Sequence, residues 1–258
     1  MTRQRGKALP LRKPFAAAGR IVGDSLGYLL THVFPGLGLL LSLGLVAAAG
    51  TLYLLYGLAE EVHEGDTRGF DESALALVNR FASPALTSFM RGVTYLGSNE
   101  FLAVACACVV LAFVVTRRRR EAAMLLLTMA GAAFLNFTLK LLSGRERPEP
   151  FFGTPLPESY SFPSGHALLS FCFYGMIAAV ITARVEGAGR RASVWAATVL
   201  LVAFIGLSRV YLGVHYPSDV AAGYAAAFVW MVMVASAGRL MEARVKGANS
   251  KGIHAARA

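Results

Sequence analysis

Acidic residues are scarce in this chain: 15 Asp and Glu stand against 25 Lys and Arg, a formal net charge of +10 over 258 residues. Charge of either sign is thin as well, 16% of the residues against 56% hydrophobic, with a mean hydropathy of +0.55. That balance excludes a soluble globule and points to a membrane chain. Cysteine is nearly missing. Cys106, Cys108 and Cys172 all fall inside apolar stretches, which argues against a disulfide framework or a cysteine metal site and leaves them as small buried hydrophobes. There is no internal repeat and no disordered linker, so one helical bundle is expected rather than two domains.

The basic residues fall in short clusters between apolar runs rather than along one polar face, so they read as topology signals and nucleic acid is not the expected partner. Residues 1–20 carry Arg3, Arg5, Lys7, Arg12, Lys13 and Arg20 with no acid among them, and Arg117 to Arg120 form an unbroken run of four. Between the clusters lie apolar segments at 36–58, 101–116, 122–142, 166–183, 193–212 and 220–240, against a requirement of roughly 20 helical residues for a span. The expected fold is all-α: a polytopic bundle of six transmembrane helices with both termini cytoplasmic. Short interfacial helices are expected in the first external loop, where Leu75, Val78, Phe81 and then Leu86, Phe89, Met90, Val93 recur at helical spacing. A basic arm over 1–35, a membrane domain over 36–240 and a basic tail over 241–258 complete the division.

Three polar stretches interrupt this pattern, all on the face opposite the basic clusters. Lys140 lies near the end of the third span, followed by Gly144, which ends the helix, and by Arg147-Pro148, where proline prevents a restart. Taken alone, Lys140 reads as a snorkelling lysine. Pro163-Ser164-Gly165-His166 opens the fourth span. Ser164 is placed to cap that helix, Gly165 permits close backbone approach, and the first turn offers amides to an anion. Ser208-Arg209 and, further on, His215 and Asp219 join the fifth span to the sixth; a carboxylate four residues after a histidine can hold one imidazole tautomer and leave the other nitrogen free to attack an electrophile.

On one face these stretches would gather three cations, Lys140, Arg147 and Arg209, hydrogen-bond donors from Ser164 and Gly165, and two histidines. Three cations are excessive for a carboxylate and suit a tetrahedral phosphate. The acids nearby, Glu146, Glu149, Glu158 and Asp219, lack the spacing of a calcium or magnesium loop. From the residues alone, only the Asp219 spacing favours His215 over His166 as a nucleophile.

Lys140-x6-Arg147-Pro148, Pro163-Ser164-Gly165-His166 and Ser208-Arg209-x5-His215-x3-Asp219 together resemble the three-part signature of the type 2 phosphatidic acid phosphatase superfamily, in its membrane branch, over about residues 36–240. The resemblance implies a lipid phosphatase working without metal or other cofactor. In it His215 attacks phosphorus, Asp219 orients the imidazole, His166 protonates the leaving oxygen and later activates water, and Lys140, Arg147, Ser164, Gly165 and Arg209 hold the phosphate oxygens. The expected partners are the bilayer and a lipid phosphate such as undecaprenyl diphosphate, phosphatidylglycerol phosphate, phosphatidic acid or a lipid A phosphate. The expected place is a bacterial-type inner membrane with the site on the extracytoplasmic face. Phosphotransfer to an alcohol would use the same residues. A non-catalytic lipid binder or transporter would be expected to carry mid-span charges or paired broken helices, which are lacking, and six spans argue against a soluble haloperoxidase. Oligomeric state does not follow from the sequence.

Overall fold

The computed structural model describes residues 39–154 and 156–255, with side chains described over 42–241 apart from residue 155. The basic arm expected over 1–35 lies outside the described residues, and so do the side chains of the expected tail beyond 241. All regular structure among the described residues is helical: α1 Leu39–Glu64, α2 Arg68–Asn79, α3 Pro84–Tyr95, α4 Asn99–Val115, α5 Arg119–Ser143, α6 Gly165–Thr182, α7 Ala188–Tyr211 and α8 Pro217–Ala255. Leu45–Ala235 form one compact unit that holds everything discussed below; the chain ends form another, of which the start of α1 and the last part of α8 are described.

The helix limits follow local chemistry. Gly144, at φ 61°, ends α5 in the left-handed conformation that glycine adopts without a steric penalty, and its N–H bonds the Lys140 carbonyl at 3.1 Å. Ser83 caps α3 by accepting from Leu86 N at 3.3 Å, with Pro84 in the first helical position. Ser98 caps α4 by accepting from Phe101 N at 3.2 Å. Proline also opens α8, at Pro217.

Five helices, α1, α5, α6, α7 and α8, are long and apolar enough to cross a membrane. α4 has 17 residues, about 26 Å at about 1.5 Å per residue, short of a hydrocarbon core of about 30 Å. Together with α3, bent from it by 45°, it makes a sixth candidate. Of the six spans expected, five are single helices and the candidate for the sixth is this bent pair. The bend packs against α7, since a Cβ added to Gly97 would lie 2.4 Å from Ile205. Both stretches of helical spacing in the first loop do form helices, α2 and α3; Leu75 and Met90 are buried, while Phe89 and, just past the end of α2, Phe81 are exposed.

The core between the spans is made by Leu102, Cys106 and Phe113 of α4, Leu125 and Ala132 of α5, Leu168, Cys172 and Phe173 of α6 and Ala222, Ala226 and Ala227 of α8. Small residues let the helices approach closely: a Cβ added to Gly223 would lie 2.7 Å from the Ser164 carbonyl oxygen, so the first turns of α8 run directly beside the start of α6. Large apolar side chains such as Tyr53, Leu54, Phe134 and Phe137 point outward, as lipid contact requires. Cys108 is exposed, unlike Cys106 and Cys172; in a span whose outer face meets lipid, an apolar position need not be an inner one. At one end of the bundle Glu121 pairs with Arg184, which brings the basic run 117–120 and the loop after α6 together. At the other end meet the end of α5, the start of α6, the end of α7 and the start of α8.

Candidate active site

Two connections build the site. The long one, between α5 and α6, is stitched to the short one, between α7 and α8, by Phe151 N to Leu212 O at 3.1 Å and by Ser164 N to Asp219 O at 2.9 Å. Buried backbone amides must find partners, and these two do so across the site rather than within their own loops.

His215 is 2% exposed and Asp219 is fully buried. Asp219 Oδ2 accepts from Ser161 Oγ at 2.5 Å, from Tyr216 N at 2.9 Å and from His215 Nδ1 at 3.4 Å, the last at the long end of hydrogen-bond reach. Asp219 Oδ1 accepts from Arg145 Nη1 at 2.7 Å. The other arm of that guanidinium, Nη2, donates to Asp71 Oδ2 at 2.7 Å, and Asp71 also receives Ser218 N at 3.1 Å and Ser218 Oγ at 2.6 Å. Arg145 further lies 4.2 Å above the Tyr216 ring centroid. A run of contacts therefore links α2 to the histidine: Asp71, Arg145, Asp219, His215.

The other nitrogen of His215, Nε2, lies 3.0 Å from Arg147 Nη1. An arginine has donors and no acceptor, so this contact requires a lone pair on Nε2 and puts the imidazole proton on Nδ1, toward Asp219. Burial agrees: it pushes the His215 imidazole down, against the hydrogen bond and charge of Asp219 and with help from Arg147 and Arg209, to about 3. His215 is thus neutral at physiological pH, and its contact with Asp219 is a hydrogen bond rather than an ion pair.

Arg147 comes round beside Lys140 after the turn at Gly144. Both cations turn to the same loop carbonyl, that of Tyr160; Arg147 also holds Ser159 O and Val214 O, each at 2.8 Å. Lys140 remains within electrostatic reach of Arg147, Asp219 and Arg209.

His166, Ser164, Gly165 and Arg209 complete the surroundings of the centre. His166 lies within electrostatic reach of Arg209, His215, Arg147 and Lys140, so the three sequence motifs do converge. Ser164 occupies the N-cap position of α6, but its hydroxyl makes no capping bond, contrary to expectation. That hydroxyl is fully buried and has no partner, and the same holds for Asn136 Oδ1 and Arg209 Nε. Gly165 has a packing reason to be glycine: a Cβ there would lie 3.2 Å from Asn136 Nδ2. Arg209 Nη1 donates to Thr94 Oγ1 at 2.8 Å. A cavity of about 470 Å³ opens here, lined by His166, Arg209, Thr94 and Arg91 among others.

All eight residues singled out from the sequence lie around one centre. Asp71, Arg145, Ser161, Asn136 and Thr94 were missed. One signal for Asp71 was present: it shares a helical stripe with Leu75 and Val78, and an acid on an apolar stripe calls for a buried partner. Among the described residues no group of three or more His, Cys, Asp or Glu side chains could hold a metal ion. Polar atoms without partners beside three cations and two histidines can bind an oxyanion and move a proton at its edge.

Known proteins resemble this chain in sequence and fold. The chain is 28% identical over 178 residues to phosphatidylglycerophosphatase B of Bacillus subtilis, covering 69% of this chain and 87% of that one. It is 26% identical over 179 residues to the undecaprenyl-diphosphatase of Sulfolobus acidocaldarius, covering 67% and 81%. The crystal structure of a transmembrane PAP2-type phosphatidylglycerolphosphate phosphatase from Bacillus subtilis superposes with a TM-score of 0.67 at 26% identity, over 72% of this chain and 93% of that one. The family model of the PAP2 superfamily matches residues 121–239, the stretch holding every motif described above, and in sequence and fold the chain is similar to membrane lipid phosphatases of that type.

Proposed function

We propose that this protein, a membrane lipid phosphatase, hydrolyses a phosphomonoester or diphosphate on a bilayer lipid through a phosphohistidine at His215. The observation that carries the assignment of the nucleophile is the Arg147 contact to Nε2, which supports a neutral imidazole with its lone pair on that atom.

In the first step the Nε2 lone pair forms a bond to phosphorus while the bond from phosphorus to the leaving oxygen breaks, and His166 delivers a proton to that oxygen. The proton on Nδ1 stays with His215, shared toward Asp219. In the second step a water oxygen attacks phosphorus, the N–P bond breaks with its electron pair returning to Nε2, and His166 takes the proton from the water. Lys140, Arg147 and Arg209, with Ser164 and the amides of the first turn of α6, hold the oxygens on which charge is spread. A bound phosphate draws Arg147 off Nε2, because a charge-assisted bond to an oxyanion is stronger than one to a neutral nitrogen.

The basic clusters at 117–120 and 184–191 support an extracytoplasmic site, since they gather at the opposite end of the bundle. The two relatives are named for phosphatidylglycerophosphate and undecaprenyl diphosphate, each of which carries two phosphates, and that favours such lipids among the candidates. The test is a phosphate-release panel over lipid phosphates with the intact protein and His215→Ala. Release by the intact protein alone is expected. Equal release by the variant refutes His215 as nucleophile, and a new phospholipid in place of free phosphate turns the reading to transfer.

A further inference from the structure

The cavity beside His166 is larger than the group being transferred requires. At about 470 Å³ it falls in the range of sites for whole small molecules, and it lies on one side of the reacting centre only. His166 and Arg209 line it, while Arg147 lines a separate opening with Arg145 and Tyr216. Displacement at phosphorus keeps the attacking and leaving atoms roughly in line, so with His215 as nucleophile the cavity on the His166 side receives the leaving fragment.

That side holds a cation the transferred group does not need. Arg91 of α3 lines the cavity three residues before Thr94, on the same helix face, and Thr94 Oγ1 holds Arg209 Nη1 at 2.8 Å. Arg91 and Arg209 thus flank one threonine along one wall. Arg91 Nη2 donates to the carbonyl of Phe152 at 3.0 Å, a contact that fixes its direction without cancelling its charge. Arg209 keeps Nε unpartnered although the residue is buried. Lys140, Arg147 and Arg209 already surround the centre, so a fourth cation displaced toward the leaving fragment is matched only by a second negative group on that fragment.

Resting on the phosphatase reading, the geometry points to Arg91 as part of a subsite for a second phosphate, carried by the leaving fragment of a lipid with two phosphate groups. A lipid whose leaving fragment is a neutral alcohol leaves this subsite without a ligand.

Farnesyl diphosphate and farnesyl monophosphate in the same detergent micelles test the subsite, because tail and micelle are shared and only the second phosphate differs. The wild-type protein is expected to favour the diphosphate. In Arg91→Gln the ratio of kcat/KM between diphosphate and monophosphate falls about 10-fold to 100-fold, the loss typical of a charge-assisted hydrogen bond, mostly through KM. Arg91→Lys restores part of it. Equal losses on both substrates, no loss on either, or a wild-type protein indifferent to the second phosphate overturn the subsite and leave the phosphatase reading standing. A wild-type protein that releases phosphate from neither substrate nor from any lipid in the panel overturns both.

Discussion

Asp219 receives hydrogen bonds from Ser161, Tyr216, Arg145 and His215, and Arg145 passes the connection on to Asp71, whereas Ser164 Oγ, Asn136 Oδ1 and Arg209 Nε, on the His166 side, are buried without a partner. Each unpaired buried polar group costs about 1–3 kcal/mol. The free protein carries that cost on one half of the site and avoids it on the other. The saturated half holds His215, the proposed nucleophile, in one tautomer, and in the proposed reading the unsaturated half is completed by the substrate. Binding a phosphate there can satisfy the two donors among them, the Ser164 hydroxyl and Arg209 Nε, which favours an oxyanion over an apolar ligand of similar size.

The largest effect is expected where the two histidines are exchanged for inert side chains. His215→Ala should lose about 10⁴-fold or more in turnover and carry no labelled phosphate, since both the N–P bond and its support disappear. His166→Ala should behave differently with a diphosphate, whose leaving phosphate needs little help from a proton. The first step then outpaces the second, and an acid-labile phosphoenzyme accumulates in rapid-quench labelling. If the two variants were alike, both failing to take up label, the division of labour between the halves would be wrong.

Next comes the link to α2. Arg145→Gln leaves two buried carboxylates without their cation, a loss that typically costs about 3–5 kcal/mol, and Asp71→Asn removes one of the two carboxylates that hold Arg145, at a smaller cost. Both should lower the unfolding midpoint in detergent and cut kcat about 10-fold or more with little change in KM, because Arg145 bonds the carboxylate that orients His215 and touches no phosphate position. A change confined to KM would instead place Arg145 on the substrate.

This link also marks where sequence reading stopped. The spans α5 to α8 were legible because apolar runs are bounded by breakers such as Gly144 and Pro217, and the eight candidate site residues stood out because their types and spacings resemble a family pattern. In sequence Asp71 stands among Glu60, Glu61, Glu64, Asp66 and Glu72 and looks like one more loop acid, since its partners Arg145 and Ser218 are far away in the chain. Arg145 stood two residues from Arg147, of the same type, and local spacing cannot tell which of two arginines faces a phosphate and which a carboxylate. The bend between α3 and α4 was hidden for a similar reason: it answers to Ile205, not to its neighbours in sequence. Long-range contacts decided all three.

Acid separates the halves by a smaller amount. His215 titrates at about 3 when folded and near 6.5 when unfolded. Above pH 6.5 neither state binds the proton; below it the unfolded chain does and the folded protein does not, so stability falls as the pH drops from about 6.5 toward 3. Between pH 8 and pH 5 this amounts to about 2 kcal/mol. His215→Gln should show a correspondingly shallower fall in unfolding midpoint over that interval. An identical slope in the two proteins would mean that His215 is not held neutral.

The smallest effect is the most discriminating, because it compares two serines that are both fully buried and three residues apart. Ser161 donates to Asp219 at 2.5 Å, and Ser161→Ala should lower both the unfolding midpoint and kcat. Ser164 has no partner to lose. Ser164→Ala removes a buried hydroxyl whose desolvation nothing repays in the free protein, so the midpoint should stay level or rise, by about 1 kcal/mol at most. The loss should show only when an oxyanion is present, as weaker inhibition by inorganic phosphate and a KM raised about 5-fold to 10-fold. Should Ser164→Ala destabilise the free protein as much as Ser161→Ala does, its hydroxyl would belong to the fold, and the line drawn between a finished half and a waiting one would have to move.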